Sequence, residues 1–273
     1  MTCGAAARML SMIGLCVVVM APPVSSQTEA VELRFRLKPE EVLRYTIVLS
    51  SLAQTTIYDL GGATRTHLDR WSTTVLEEIR ASAEDEDGAT SLEITQQETK
   101  TTGASRPIPL PPINAKVRPN GQVVGKVRGL GTGYFPIGLP DHAVLPGESW
   151  TYKQDGVSWD TGGEYFGFGF VTADMIFTSI LVGVDGVGGS RVARVQTKGD
   201  GAVTICCDAR VIGASKAHVT GEATWSIDGG RLLRFKKETS FEVPLEVKFE
   251  GRTYKGKGKF TVVEEREPSP GSN

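Results

Sequence analysis

The sequence is poor in the residues that most directional chemistry uses. Only 4 cysteines occur in 273 residues, and Cys3 and Cys16 fall in an N-terminal stretch with the pattern of a leader. Cys206 and Cys207 remain, as immediate neighbours. Strand alternation sends Cys207 inward and Cys206 outward, so two free thiols are expected rather than a disulfide scaffold. The 3 histidines, His67, His142 and His218, stand in separate segments without the H-x-x-x-H spacing of common zinc sites. No apolar run reaches the about 20 residues that a membrane-spanning helix needs. Neither charge prevails, with 30 Lys and Arg against 32 Asp and Glu and a net charge of -2. Such a chain carries no electrostatic footprint for nucleic acid.

Familiar catalytic signatures are missing as well. Gly147-Glu148-Ser149-Trp150-Thr151 has threonine where a nucleophile elbow needs its second glycine. Gly129 to Gly133 lacks the Lys-Ser/Thr pair of a phosphate loop. Asp141-His142 is a pair suited to orienting an imidazole, but no nucleophile accompanies it, and it reads as a polar loop pair. A glycosidase pair of carboxylates stays open, because their separation in space is invisible at this level. The expectation is a non-catalytic protein without metal or cofactor.

What is present is alternation. From Ser215 to Arg266 apolar and polar residues take turns, with Ala217, Val219, Ala223, Trp225 and Ile227 on one parity and Lys216, His218, Thr220, Glu222 and Thr224 on the other. Leu233, Phe235, Phe241, Val243, Leu245 and Val247 continue the apolar face, as do Tyr254, Phe260 and Val262 after Gly251. A period of two marks half-buried antiparallel strands. The expected fold is therefore mainly β: a strongly curved antiparallel sheet, half-barrel or barrel-like, of about ten long strands. At most one or two short helices are allowed for, one near Tyr134 to Gly138. With 40% hydrophobic residues a real core can form, and 32 glycines suit many turns.

Particular segments carry particular expectations. Val31, Leu33, Phe35 and Leu37 alternate as a first strand, followed by a turn at Lys38 to Glu41. Trp71, Val75, Ile79 and Ala81 share a face on which Glu77 also falls, and the acidic run from Glu84 to Gly88 is a solvated hairpin tip. The proline-rich stretch from Arg106 to Ile113 is an extended crossover, and Pro119-Asn120-Gly121 turns a hairpin. Met175 to Val184 is apolar on both parities, which predicts a strand covered on both faces. Lys198 to Gly201 has hairpin composition. At Asp228 to Arg231 a three-residue loop, Gly229 to Arg231, opposes Ile227 to Leu233 and Trp225 to Phe235, matching the apolar faces. Pro244 predicts an edge position or a bulge, and Lys255, Lys257 and Lys259 would discourage edge pairing. Glu77 and Lys237 break the apolar parity, so each is either paired inside or returned to water.

Residues 1–26 have the pattern of a secretory leader: Arg8 is the sole charge, Met9 to Ala21 an apolar core, and Val24-Ser25-Ser26 a site for cleavage before Gln27. Export to a periplasmic or extracellular compartment follows. The remainder divides into a single β domain over 27–266 and a disordered tail over 267–273. Phe166, Phe168 and Phe170 alternate with Gly167 and Gly169, giving an aromatic ridge that is either core or an apolar wall for a ligand.

The segment from Leu139 to Tyr152, ending in Pro-Gly-Glu-Ser-Trp-Thr-Tyr, and the later Trp225 to Phe235 turn together resemble bacterial exported β-proteins of uncharacterised function. More distantly the layout is similar to the lipoprotein-carrier folds of the LolA/LppX type. That resemblance implies a curved sheet around an apolar cavity that accepts acyl chains, with lipid or a lipoprotein as the partner. Trp71, Phe166, Phe168, Phe170, Trp225 and Phe235 are then the candidate lining. The sequence departs from that type in lacking the amphipathic helices that lid the cavity, Tyr134 to Ala143 being the one stretch that would contribute. The alternative is a structural or interaction module of the cell envelope with a solid core and no ligand.

Overall fold

The computed structural model of the chain describes residues 29–58, 64–86, 88–102, 112–124, 138–163, 168–206, 210–211, 215–249 and 252–270. The expected leader lies outside these residues, as do Phe166, Cys207 and all but the last residue of the expected short helix. The described residues form eleven strands: β1 (Val42–Tyr58), β2 (Thr64–Glu84), β3 (Thr90–Thr102), β4 (Ile113–Val117), β5 (Ser149–Gly163), β6 (Phe168–Val187), β7 (Ser190–Cys206), β8 (Arg210–Val211), β9 (Ser215–Ser226), β10 (Arg231–Phe249) and β11 (Arg252–Pro268). All join one antiparallel sheet in the order β4-β3-β2-β1-β11-β10-β9-β7-β6-β5, with β8 pairing β10 beside that path. No helix occurs among the described residues. The all-β, antiparallel expectation holds.

The sheet is open, with β4 and β5 at its edges. Even so, β5 comes within 8 Å of β1 and of β11, strands from the middle of the order. One face carries the core. Residues 31–37 lie along it as an extended segment, burying Val31, Leu33, Phe35 and Leu37. They do not form the expected sheet strand. Val31 bridges Val144, Phe35 N–H donates to Pro119 O and Arg36 N–H to Gly230 O, so the segment is tied down by loops rather than by a ladder.

Several turns fall where composition places them. Glu40 sits at φ 65 in the turn before β1, and Asp85 closes the acidic hairpin tip by accepting from the Ala89 and Gly88 amides. Gly121 takes φ 79 in the turn after Pro119 and Asn120.

Others differ, each for a physical reason. The hairpin expected at Lys198 to Gly201 is formed instead by Gly188 and Gly189, at φ 59 and 84, between the paired Val187 and Ser190. Two consecutive left-handed residues make the primed turn that matches strand twist. Gly199 and Gly201 are interior strand positions, and a Cβ there would stand 2.5 Å from the Phe177 ring and 2.3 Å from Met175 Sδ. Those glycines make room for side chains of β6. At the β9–β10 turn, Trp225 pairs with Leu232 and Phe235 with Ala223, with a bulge between Leu232 and Arg234. The expected pairing of Trp225 with Phe235 is therefore wrong: the bulge, not a three-residue loop, restores the apolar face.

Strand β11 lies between β1 and β10, so Lys255, Lys257 and Lys259 stand on a central strand and guard no edge. Pro244 falls where the neighbour of β10 changes from β9, last paired at Phe241–Ala217, to β8, paired at Leu245–Val211. The outer face of β6 is bare among the described residues, with Ile176 57%, Ile180 36% and Val182 41% exposed, so the strand is covered on one side only. Finally, β11 runs past the expected domain end at residue 266: Glu267 and Pro268 pair with Thr46 and Tyr45, and Ser269 N–H donates to Arg44 O.

Candidate functional site

The inner face is built in register rows, one residue from each strand. One row reads Trp71, Ser51, Val262, Thr239, Val219, Gly199, Phe177 and Tyr152 from β2 to β5. The next, towards the residue 31–37 segment, reads Thr73, Leu49, Glu264, Lys237, Gly221, Thr197, Ser179 and Trp150. This second row is mostly polar, and it divides the core. On one side a large cluster gathers around Leu33 and Phe35 and includes Ile47, Val75, Leu181, Trp225 and Phe235. On the other lies a smaller cluster of Ala53, Met175, Phe177, Val219, Phe241, Val243, Leu245 and Phe260.

Charge is buried along the divide. Arg266 Nη1 donates to Glu77 Oε1 at 3.0 Å and Nη2 to Glu264 Oε1 at 3.4 Å, while Lys237 Nζ meets Glu264 Oε2 at 2.9 Å. Gln96 Nε2 donates to the second Glu77 oxygen at 2.7 Å. The four charges sum to zero and every carboxylate has a cation, the condition under which ions persist inside a protein. Burial presses the Glu264 carboxyl upward, but Lys237 and Arg266 together hold it below its ordinary value. Tyr45 packs against the Arg266 guanidinium and donates its hydroxyl to Leu232 O at 3.0 Å; burial raises its pKa far above the ordinary phenol, so it stays protonated. Both parity-breaking residues of the sequence, Glu77 and Lys237, are thus paired inside.

Hydroxyls continue the divide into β7 and β6, where Ser179 and Thr197 share a hydrogen bond of 2.7 Å. Tyr152 lies at the β5 end, stacked on Phe177 at 5.0 Å, and burial pushes its hydroxyl up to about 12 against hydrogen bonds with Gly138 and Ser179. In the neighbouring row three polar groups have no hydrogen-bond partner among the described residues: Trp71 Nε1, Ser51 Oγ and Thr239 Oγ1. Their residues are buried, Thr239 completely. Trp71 and Ser51 are direct register partners, and Val262 alone separates Ser51 from Thr239.

The candidate lining residues divide accordingly. Trp225 and Phe235 come together in the large cluster, packed with the residue 31–37 segment. Trp71 joins neither cluster and sits at the end of the orphan row. Phe168 and Phe170 stand on β6, paired with Gly163 and Asp160, but their side chains lie outside the described residues, as does all of Phe166. Sequence reasoning missed Glu264, Arg266, Ser51 and Thr239. The first two continue the inward parity of Phe260 and Val262, and that is the signal that points to them.

Elsewhere, His142 bonds Asp141 at 2.9 Å through Nδ1 and Glu148 at 3.2 Å through Nε2. Both carboxylates favour the protonated ring and raise its pKa, Asp141 more strongly. With both ring nitrogens engaged this imidazole is a loop clamp and has no free lone pair for a base. Among the described residues no group of three or more His, Cys, Asp or Glu could hold a metal ion, and no helix is long and apolar enough to cross a membrane. The chain matches no protein-family model and no curated protein sequence.

Proposed function

We propose that the protein is a non-catalytic exported carrier that holds an apolar ligand on the inner face of a half-barrel sheet. The ligand is a lipid or acyl chain, free or attached to a lipidated partner, in the manner of the LolA/LppX type. The observation that carries this reading is the row of unpartnered polar groups at the boundary of the smaller apolar cluster. Each buried group left unbonded costs about 1–3 kcal/mol, and a core built for stability alone gains nothing from three of them. A ligand with an apolar body and a polar end supplies what they lack. Curvature is supported by the approach of β5 to within 8 Å of β1. Six strand spacings separate them in the order, about 29 Å in a flat sheet.

The residue 31–37 segment packs over the half of the interior around Trp225 and Phe235, and the carrier reading therefore places the ligand on the side of Met175, Phe177 and Phe260, where no such segment lies among the described residues. The second reading, a solid envelope module that works through its surface, is favoured by two observations. Phe177 and Met175 lie directly over glycines, which fills that half tightly, and the apolar stripe of Ile176, Ile180 and Val182 faces outward as a partner surface would. Native mass spectrometry with lipid extraction, on protein purified from its own compartment, separates the two. The carrier reading expects a co-purifying acyl compound and binding of an apolar dye by the folded chain. A folded chain with neither leaves the envelope module.

A further inference from the structure

We infer that the outer face of the sheet, at the end that carries Tyr58, Leu68 and Lys255, docks on an anionic phospholipid surface. The patch lies on the side away from the core and needs no cavity. It holds for a carrier and for an envelope module alike.

Charge is distributed unevenly along this face. At the end near Arg44 the cations are neutralised: Arg44 and Arg80 hold Glu78, Lys236 holds Glu265 and Arg234 holds Glu267, each at 3.0 Å or less. From the Leu52 row to the other end the pattern changes. Register puts Leu52 between Arg70 and Thr261, Gln54 between Leu68 and Lys259, and Tyr58 beside Lys255, with Lys257 between the two other lysines. Arg70 and all three lysines are exposed. Of these, Lys257 alone meets a carboxylate among the described residues, Glu242 at 3.5 Å. Glu242 and Glu246, on β10, are the carboxylates that β1, β2, β10 and β11 offer there among the described residues. Arg65, His67 and Asp69 belong by parity to the other face.

Because β11 is a central strand, its lysines block no edge. Like charges spaced two residues apart repel one another, at a cost to the folded chain. An anionic bilayer turns that repulsion into attraction, each lysine near it strengthening binding about fivefold. The apolar side chains decide between a bilayer and a soluble polyanion. Leu52, Tyr58 and Leu68 stand among the cations and are 37%, 44% and 55% exposed. Against a bilayer they enter the boundary between headgroups and acyl chains, the depth at which tyrosine rings settle. A soluble polyanion would leave Leu52 and Leu68 facing charge.

The test is co-sedimentation of the protein, purified from its own compartment, with phosphatidylcholine vesicles containing either about one-third phosphatidylglycerol or none. Binding is expected on the anionic vesicles only, and it should weaken about tenfold or more from low to high salt as the charges are screened. Lys255→Gln, Lys257→Gln and Lys259→Gln combined should weaken it about a hundredfold. Arg234→Gln with Lys236→Gln removes as much charge per residue from the opposite end, beyond a screening length, and should change it by less than about twofold. Tyr58→Ser with Leu68→Ser should weaken binding about tenfold even in high salt. No binding to anionic vesicles, equal binding to both kinds, or full binding by the triple lysine variant overturns the proposal. So does vesicle binding that the lysine variant loses and the Tyr58 and Leu68 variant keeps, because a soluble polyanion or an acidic protein is then the partner. The vesicle and salt comparison on the wild type needs no variant, and it decides the matter even if a variant fails to fold.

Discussion

Arg266 of β11 reaches across β1 to Glu77 of β2 and closes a 3.0 Å hydrogen bond between two buried side chains. The strand between them contributes Tyr45 and Ile47, register partners of Glu77 and Arg266 respectively. The pair therefore ties three strands together through the interior, in addition to their ladders.

Removing one partner leaves the buried network of Glu77, Arg266, Glu264 and Lys237 with one uncompensated charge. Glu77→Gln or Arg266→Met should each cost about 3–5 kcal/mol in urea unfolding. The double variant should cost clearly less than the two single losses added, because the remaining pair, Lys237 and Glu264, is again neutral. Strict additivity would show that the pair does not couple.

The two halves of this network were unequally legible in the sequence. Glu77 and Lys237 stand out because each interrupts an apolar parity. Glu264 and Arg266 follow Val262 on the same parity, but charged residues near a chain end resemble the close of a strand's buried face. Two inward charges of opposite sign demand partners, and that demand points to Arg266 and Glu264 when the parity is carried on. Turn composition misleads at Lys198 to Gly201, because glycine serves side-chain coverage there as well as it serves a turn elsewhere. Parity alone cannot distinguish a longer loop from a bulge, which is why the pairing of Trp225 escaped it. The outer face of β6 escaped for another reason: an apolar residue left exposed looks the same in sequence as one under a second layer.

Acid should loosen the network through Glu264. Its carboxyl is held below the ordinary value of 4.5, so the folded state binds fewer protons than the unfolded one near that pH. The stabilisation is complete above the unfolded value and is lost as pH falls through the lower folded one. Unfolding curves of wild type and Glu264→Gln should therefore converge as the pH drops below about 4.5. Parallel pH profiles would show that Glu264 is not held ionised by its neighbours.

Gly199 offers a test of the corrected β7. If it is an interior strand position under Phe177, then Gly199→Ala should cost about 1–3 kcal/mol through overpacking. Phe177→Leu should recover part of that loss when combined with it, since the ring is what the new Cβ would strike. A neutral Gly199→Ala, with no dependence on residue 177, would return this glycine to a turn.

Trp225 decides what the larger half of the interior is. It is 3% exposed and lies in one cluster with Leu33, Phe35 and Phe235. Neighbours on every side leave the site unable to lose an indole without opening a void, so Trp225→Ala should cost about 3–5 kcal/mol in chemical unfolding. Were this half an open ligand chamber, the indole would already border empty space, and the loss would shrink towards the transfer term of about 1–2 kcal/mol. The indole N–H refines the test, because Nε1 has no partner among the described residues. Trp225→Phe therefore breaks no hydrogen bond and gives up only part of the ring, so it should cost well under half of the alanine loss. If phenylalanine costs as much as alanine, the N–H has a partner and this half of the core holds a bound group. If instead alanine costs little, the residue 31–37 segment does not fill the sheet, and the ligand has room on both sides of the polar divide.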